Sequence, residues 1–332
     1  MNQGKGWEAQ LRSRRGITAA VAVLAAAGLL LSWLLPGGSD RPSGDVTFAT
    51  GVPNGVYETY GELLREETAR DLPDVRIELA PSQGSVDNVR RLAEGRADFA
   101  VAASDAVAAY DGPNARRLRA CARLYDDYVQ LVVPEGSDIE RAADLKGKRV
   151  GVGEDESGVQ LIARRLVRAA GLDFNREIEP VGKGLDDMQE GLRTGDLDAF
   201  FWSGGLPTTS VRKLAEDTDI KLVPLDDLIT PLHQQDDEAT RYYRAAVMPP
   251  DAYPDVQRDR AVKTIAVANL LLTTDRTDDR LTEGLTRSVI RSRDGIGKKV
   301  HAAQKVDLRT AVFTDPLQLH PGAARYYRSV KP

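Results

Sequence analysis

From residue 46 onward, apolar runs of strand length alternate with amphipathic runs of helical length. Residues 46–50 predict a first strand and 57–69 a first helix; 75–80 alternate apolar and polar positions, as a half-buried strand does. In 85–94 the positions Val86, Val89 and Leu92 share one helical face, Gly95 stops the run, and 98–103 read as a third strand. A strand at 118–125 and another at 128–133 follow, and the second is a place where the chain crosses into a further unit. There the pattern repeats: strand 149–153, helix 157–170 ending at Gly171, helix 185–193 ending near Gly195, strand 198–202. The segment Glu94-Gly95-Arg96-Ala97-Asp98 is echoed by Thr194-Gly195-Asp196-Leu197-Asp198, in each case a helix stopped at Gly before a strand led by Asp. Residues 242–248 and 262–272 predict strands, 277–293 a helix, and 321–329 a short helix opened by proline. Strands alternating with helices in this way predict an α/β fold of two similar lobes.

Ahead of this body, Arg12, Arg14 and Arg15 precede an uncharged stretch, 17–35, of spanning length. Basic residues before it keep 1–16 in the cytoplasm and send the rest outside. The stretch is either a transmembrane signal anchor or a cleaved signal peptide, and both export the body. Residues 36–44 form a polar linker. The expected organisation is then lobe 1 over 45–130, lobe 2 over 131–240, and return segments completing lobe 1 over 241–332.

Helices that begin at the carboxyl ends of strands mark where an α/β sheet binds ligands. Three such places stand out: Gly51, Asn54, Gly55 and Tyr57; Gly84, Ser85 and Asn88; and Ser157, Gly158 and Val159. Glycines allow close backbone approach, Ser85 and Ser157 are natural helix N-caps whose hydroxyls also suit a carboxylate, and unpaired amides at a helix start hold anions. Tyr57 offers a ring face and a hydroxyl. Ser104, Trp202, Gly205 and Pro207, at the ends of the strands closing each unit, are further candidates. Taken singly, each serine is better explained by capping and each glycine by a turn; the ligand reading is carried by their joint occurrence in the order of the family resemblance given below.

Basic and acidic residues are interspersed and the net charge is −5, so no electrostatic footprint for nucleic acid exists. One cysteine, Cys121, within an apolar run, excludes an internal disulfide, and His233, His301 and His320 lack metal-ligand spacing, so neither a metal nor another cofactor is expected. No nucleophile elbow and no phosphate loop is present.

The stretch 46–57, with Gly84-Ser85-Val86-Asp87-Asn88, Glu94-Gly95-Arg96-Ala97-Asp98, Asp144-Leu145-Lys146-Gly147-Lys148-Arg149-Val150 and His320-Pro321-Gly322-Ala323, resembles the TAXI family. Its members are the extracytoplasmic solute-binding subunits of TRAP transporters. The resemblance runs from about residue 46 to 330. It implies a type II-like periplasmic-binding-protein fold, a small carboxylate or amino acid ligand held between the lobes, and a TRAP membrane permease as partner. Where that family commonly shows Gly-Ser-Gly-Thr, this chain has Glu156-Ser157-Gly158-Val159 after Glu154 and Asp155, which loses a hydroxyl and adds three acids that either favour the helix dipole or, if they face the crevice, disfavour a doubly negative ligand. Two other readings stay open: a tethered sensor or interaction protein, and an enzyme on the same scaffold.

Overall fold

The computed structural model describes residues 41–53 and 55–330; the stretch 17–35 and Asn54 lie outside them. The first lobe opens with β1 (Gly44–Ala49), α1 (Val56–Asp71), β2 (Val75–Ala80), α2 (Ser85–Ala93) and β3 (Phe99–Ala103), with β1 parallel to both β2 and β3. A five-residue helix, α3 (Ser104–Ala108), follows β3 directly. The two strands expected at 118–125 and 128–133 are one 17-residue strand, β4 (Leu118–Pro134). Its first half packs Cys121, Ala122, Leu124 and Tyr125 into the first core, and its second half packs Val129 and Leu131–Val133 into another. β4 is therefore the first crossing between lobes.

The second lobe holds β5 (Arg149–Gly151), α4 (Gly158–Ala169), β6 (Glu179–Val181), α5 (Leu185–Thr194), β7 (Ala199–Gly204), α6 (Thr209–Asp217) and β8 (Ile220–Val223). Strand β5 stops at Gly151, short of the expected residue 153, because Gly153 turns the chain with φ +81°. The return is made by β9 (Tyr243–Met248) and the 13-residue β10 (Val262–Thr274). Residues from 241 were expected to complete the first lobe. Instead Tyr243, Met248, Tyr253, Ile265 and Val267 lie in the second core, and only beyond them does β10 reach the first, with Leu271. Pairing of β9 with β10, and the apolar side chains they add to the second core, hold this segment where it is.

All ten strands join one sheet in the order β2-β1-β3-β10-β4-β7-β5-β6, with β8 on β4 and β9 on β10. The antiparallel pair β10 and β4 forms its centre and links the lobes. Helices α7 (Asp279–Arg291) and α8 (Pro321–Val330) then close the first lobe, the Tyr327 hydroxyl donating to the Cys121 carbonyl at 3.0 Å. Cys121 is fully buried there, and burial pushes its thiol far above the ordinary range.

Candidate functional site

The carboxyl ends of β1, β3, β5 and β7 meet where β4 and β10 cross, and enclose a cavity of about 70 Å³. Its second-lobe wall carries the apolar Val159, Ile162, Leu185, Met188 and Trp202 beside the polar Glu154, Ser157 and Lys183. Gly51, Gly55, Tyr57, Gly84, Ser85, Ser157, Gly158, Val159 and Trp202, all singled out in the sequence, line it together.

The structure gives these residues different work. Ser157 caps α4, accepting from the Gln160 amide at 3.0 Å. Ser85 was expected to cap as well, but Gly84, with φ +116°, takes the N-cap position and Ser85 is the first helical residue. Its Oγ instead accepts from the Ala103 amide at 3.1 Å and lies 3.0 Å from the Tyr57 hydroxyl, which donates to Asn269 Oδ1 at 2.5 Å. Amides around the start of α2, expected to hold an anion, are used by the protein: Gln83 N donates to Asp87 Oδ2, Gly84 N to Ser82 Oγ, and Asp87 N to the Glu156 carbonyl. Burial raises the Tyr57 hydroxyl well above its ordinary value, with the Asp127 charge adding to the rise, so it stays protonated.

Four candidates lie outside the cavity wall. Asn88 is fully buried beneath it, donating through Nδ2 to the Thr50 carbonyl at 2.5 Å and the Val101 carbonyl at 2.7 Å; it ties β1 to β3 and does not reach the ligand space. Ser104 is turned into the protein at 1% exposure. Gly205 and Pro207 face a separate cavity of about 440 Å³, shared with Thr59, Lys213, Lys299 and His301. Trp202 both lines the ligand cavity and belongs to the second core, anchored by Nε1 donating to Thr208 Oγ1 at 3.1 Å.

Two carboxylates in the wall, Asp105 and Asp127, were not anticipated. Asp105, on α3, accepts from Arg165 of α4 at 3.0 Å and from the Tyr243 hydroxyl at 2.6 Å, joining the lobes through a buried ion pair. Burial raises its carboxyl pKa, and the Arg165 charge opposes the rise. Asp127 is 4% exposed and, among the described residues, its Oδ1 has no hydrogen-bond partner. Burial lifts its pKa to about 7, partly offset by the facing Asn269 amide and reinforced by Asp126 and Asp105. A signal was present in the sequence: the adjacent acids Asp126 and Asp127 stand between the mainly apolar halves of one strand.

The acids before α4 separate in role. Glu156, at φ +63°, pairs with Arg90 of α2, so the two lobes are joined there, Asp155 accepts from Gln160 Nε2 at 2.6 Å, and Glu154 lines the cavity with Lys183.

Comparison with known proteins agrees on the fold. A binding protein component of an ABC phosphonate transporter from Pseudomonas aeruginosa superposes with a TM-score of 0.50 at 12% identity, covering 80% of each chain. The periplasmic aliphatic sulphonate binding protein SsuA from Escherichia coli gives 0.49 at 13% identity, over 88% of this chain and 84% of that one. A protein of Escherichia coli (strain K12) named for aliphatic sulfonates is 34% identical over 95 residues, 27% of this chain and 29% of that relative, so the chain matches less than a third of its length. The architecture is thus the α/β two-lobed, periplasmic-binding-protein-like fold. The model of the NMT1-like family matches residues 48–330, and the chain belongs to that family.

Proposed function

We propose that this protein is the exported solute-binding subunit of a transport system, closing two lobes on one small organic molecule and presenting the closed form to a membrane permease. The observation that carries the reading is the cavity itself, walled by α1 and α2 of one lobe and by α4 and α5 of the other, and floored by the two strands that join them. Such a site needs only better ligand contacts in the closed arrangement than in an open one. Its wall includes no thiol, since Cys121 is in the first core. The motifs shared with the TAXI family make a TRAP-type permease the proposed partner, and residues 17–35 the proposed export and tethering segment. A small carboxylate or amino acid is the proposed ligand class.

A thermal scan of the full chain against monocarboxylates, dicarboxylates and amino acids tests the reading. A ligand at 100 times its Kd should stabilise the protein by about 2.7 kcal/mol. No response from any class, in folded protein free of co-purified ligand, would overturn it. Co-purification with a TRAP permease, set against an ABC permease, decides the partner.

A further inference from the structure

We infer that the Asp127 carboxylate is the recognition point for a cationic nitrogen, so that the solute carries an ammonium group. This rests on the solute-binding reading and goes beyond it by assigning the ligand's charge. Asp127 sits on β4 opposite Val267 of β10, on the cavity floor where the strands linking the lobes cross.

The hydrogen bonds leading to it have one direction. The Ala103 amide donates to Ser85 Oγ, which leaves the Ser85 proton for the Tyr57 oxygen. Tyr57 in turn donates to Asn269 Oδ1. That bond fixes the Asn269 amide with Nδ2 turned to Asp127, although Nδ2 and Asp127 Oδ1 do not complete a hydrogen bond with each other. The chain of bonds ends at Asn269, whose amide, facing Asp127, favours a negative charge there. Asp127 is itself one of the residues lining the cavity, and its Oδ1 is left without a partner among the described residues.

Of the other charges at the cavity, Glu154 and Lys183 line it from the second lobe and make no ion pair with Asp127. Asp126 is paired with Arg123 and Arg244, and Asp105 with Arg165; Tyr57 and Tyr125 are buried phenols of raised pKa. No guanidinium or ammonium of the described residues pairs with Asp127 itself. A buried, unpaired carboxylate is costly, and a ligand ammonium supplies both its missing charge and its missing donor. The competing arrangement is a protonated Asp127 that donates to a ligand carboxylate or sulfonate. The two have opposite pH dependence. With a pKa near 7, ammonium binding strengthens by about tenfold from pH 6 to pH 8, as Asp127 ionises, whereas anion binding weakens.

Methylammonium, glycine, acetate and methanesulfonate are small enough to probe the floor whatever else the natural solute carries. Melting of the full chain is followed with each, up to 200 mM, against matched NaCl at pH 6 and pH 8. Methylammonium or glycine should raise the Tm, more at pH 8, and Asp127→Asn should weaken the effect at least tenfold. A carbon-13 titration of Asp127 in the unaltered protein, which needs no variant, should show its pKa lowered by methylammonium and not by NaCl. Stabilisation by acetate or methanesulfonate alone, or an amine response retained in Asp127→Asn, would overturn the ammonium assignment while leaving solute capture standing. Silence from all four probes would count against both.

Discussion

Gly158 of α4 and Ser85 of α2 meet across the cavity: a Cβ placed on Gly158 would lie 3.1 Å from Ser85 Oγ and 3.3 Å from its Cβ. The first turns of the two helices therefore approach as closely as they do only because residue 158 has no side chain. Gly158→Ala should wedge the lobes apart at an overpacking cost of roughly 1–3 kcal/mol. That cost falls on closure, so ligand affinity should drop by at least about fivefold with little change in the melting of ligand-free protein. Calorimetric titration beside a thermal scan checks the split, and unaltered affinity would contradict the close approach.

Asn88, expected from the sequence to touch ligand, should behave as a structural residue. Asn88→Ala removes two donors to the buried carbonyls of Thr50 and Val101 and should cost about 2–4 kcal/mol in denaturant unfolding. Ser157→Ala, which removes a cap, should cost about 0.5–2 kcal/mol. Equal small losses for both would show that Asn88 does not carry the β1 to β3 tie.

The Arg90 and Glu156 pair joins the two lobes but is partly exposed, with side-chain exposures of 37% and 45%. Such pairs contribute about 0.2–1 kcal/mol and are screened by salt. A double-mutant cycle with Arg90→Ala and Glu156→Ala should find a coupling in that range that shrinks in 1 M NaCl. A coupling above about 2 kcal/mol would mean that the pair, and not the cavity contacts, holds the lobes together.

Asp127 should leave its mark on stability as well as on binding. Its folded pKa of about 7 lies above the unfolded value of 3.8, so between these the native state holds a proton that the unfolded state has lost. Stability from this group is fully present below pH 3.8, falls as pH rises toward 7, and is level above. The loss is on the order of 4 kcal/mol at most. Stability of the parent relative to Asp127→Asn should therefore decline across that window in urea titrations without ligand. A flat difference would show that the carboxylate is solvated or paired in the native state.

Much of the fold was legible because its elements are periodic. The alternation in 75–80 reappears as β2 over Val75–Ala80, and the apolar face of Val86, Val89 and Leu92 became α2. Short or half-exposed elements carried no such pattern. α3 is five residues long, and β6 exposes Glu179 and Pro180, so neither shows a period. In the site, glycines at strand ends were readable because backbone geometry demands them locally. Roles set by distant partners were not: Ser85 looks like a cap until β3 brings Ala103 to it, and Asn88 looks exposed until β1 and β3 cover it. Asp127 depended on β10 folding back over β4, a contact between residues far apart in the chain. Its place beside Asp126, between the mainly apolar halves of β4, was the local sign.

Native mass spectrometry of the full chain, purified without ligand exchange and compared before and after denaturing release, tests the central claim most directly. One small molecule per chain, recovered unchanged on denaturation and taken up again by refolded protein, is the result that solute capture between the lobes predicts. A chain that carries no small molecule, and takes none from the small-molecule fraction of its own cells while remaining folded, would contradict it.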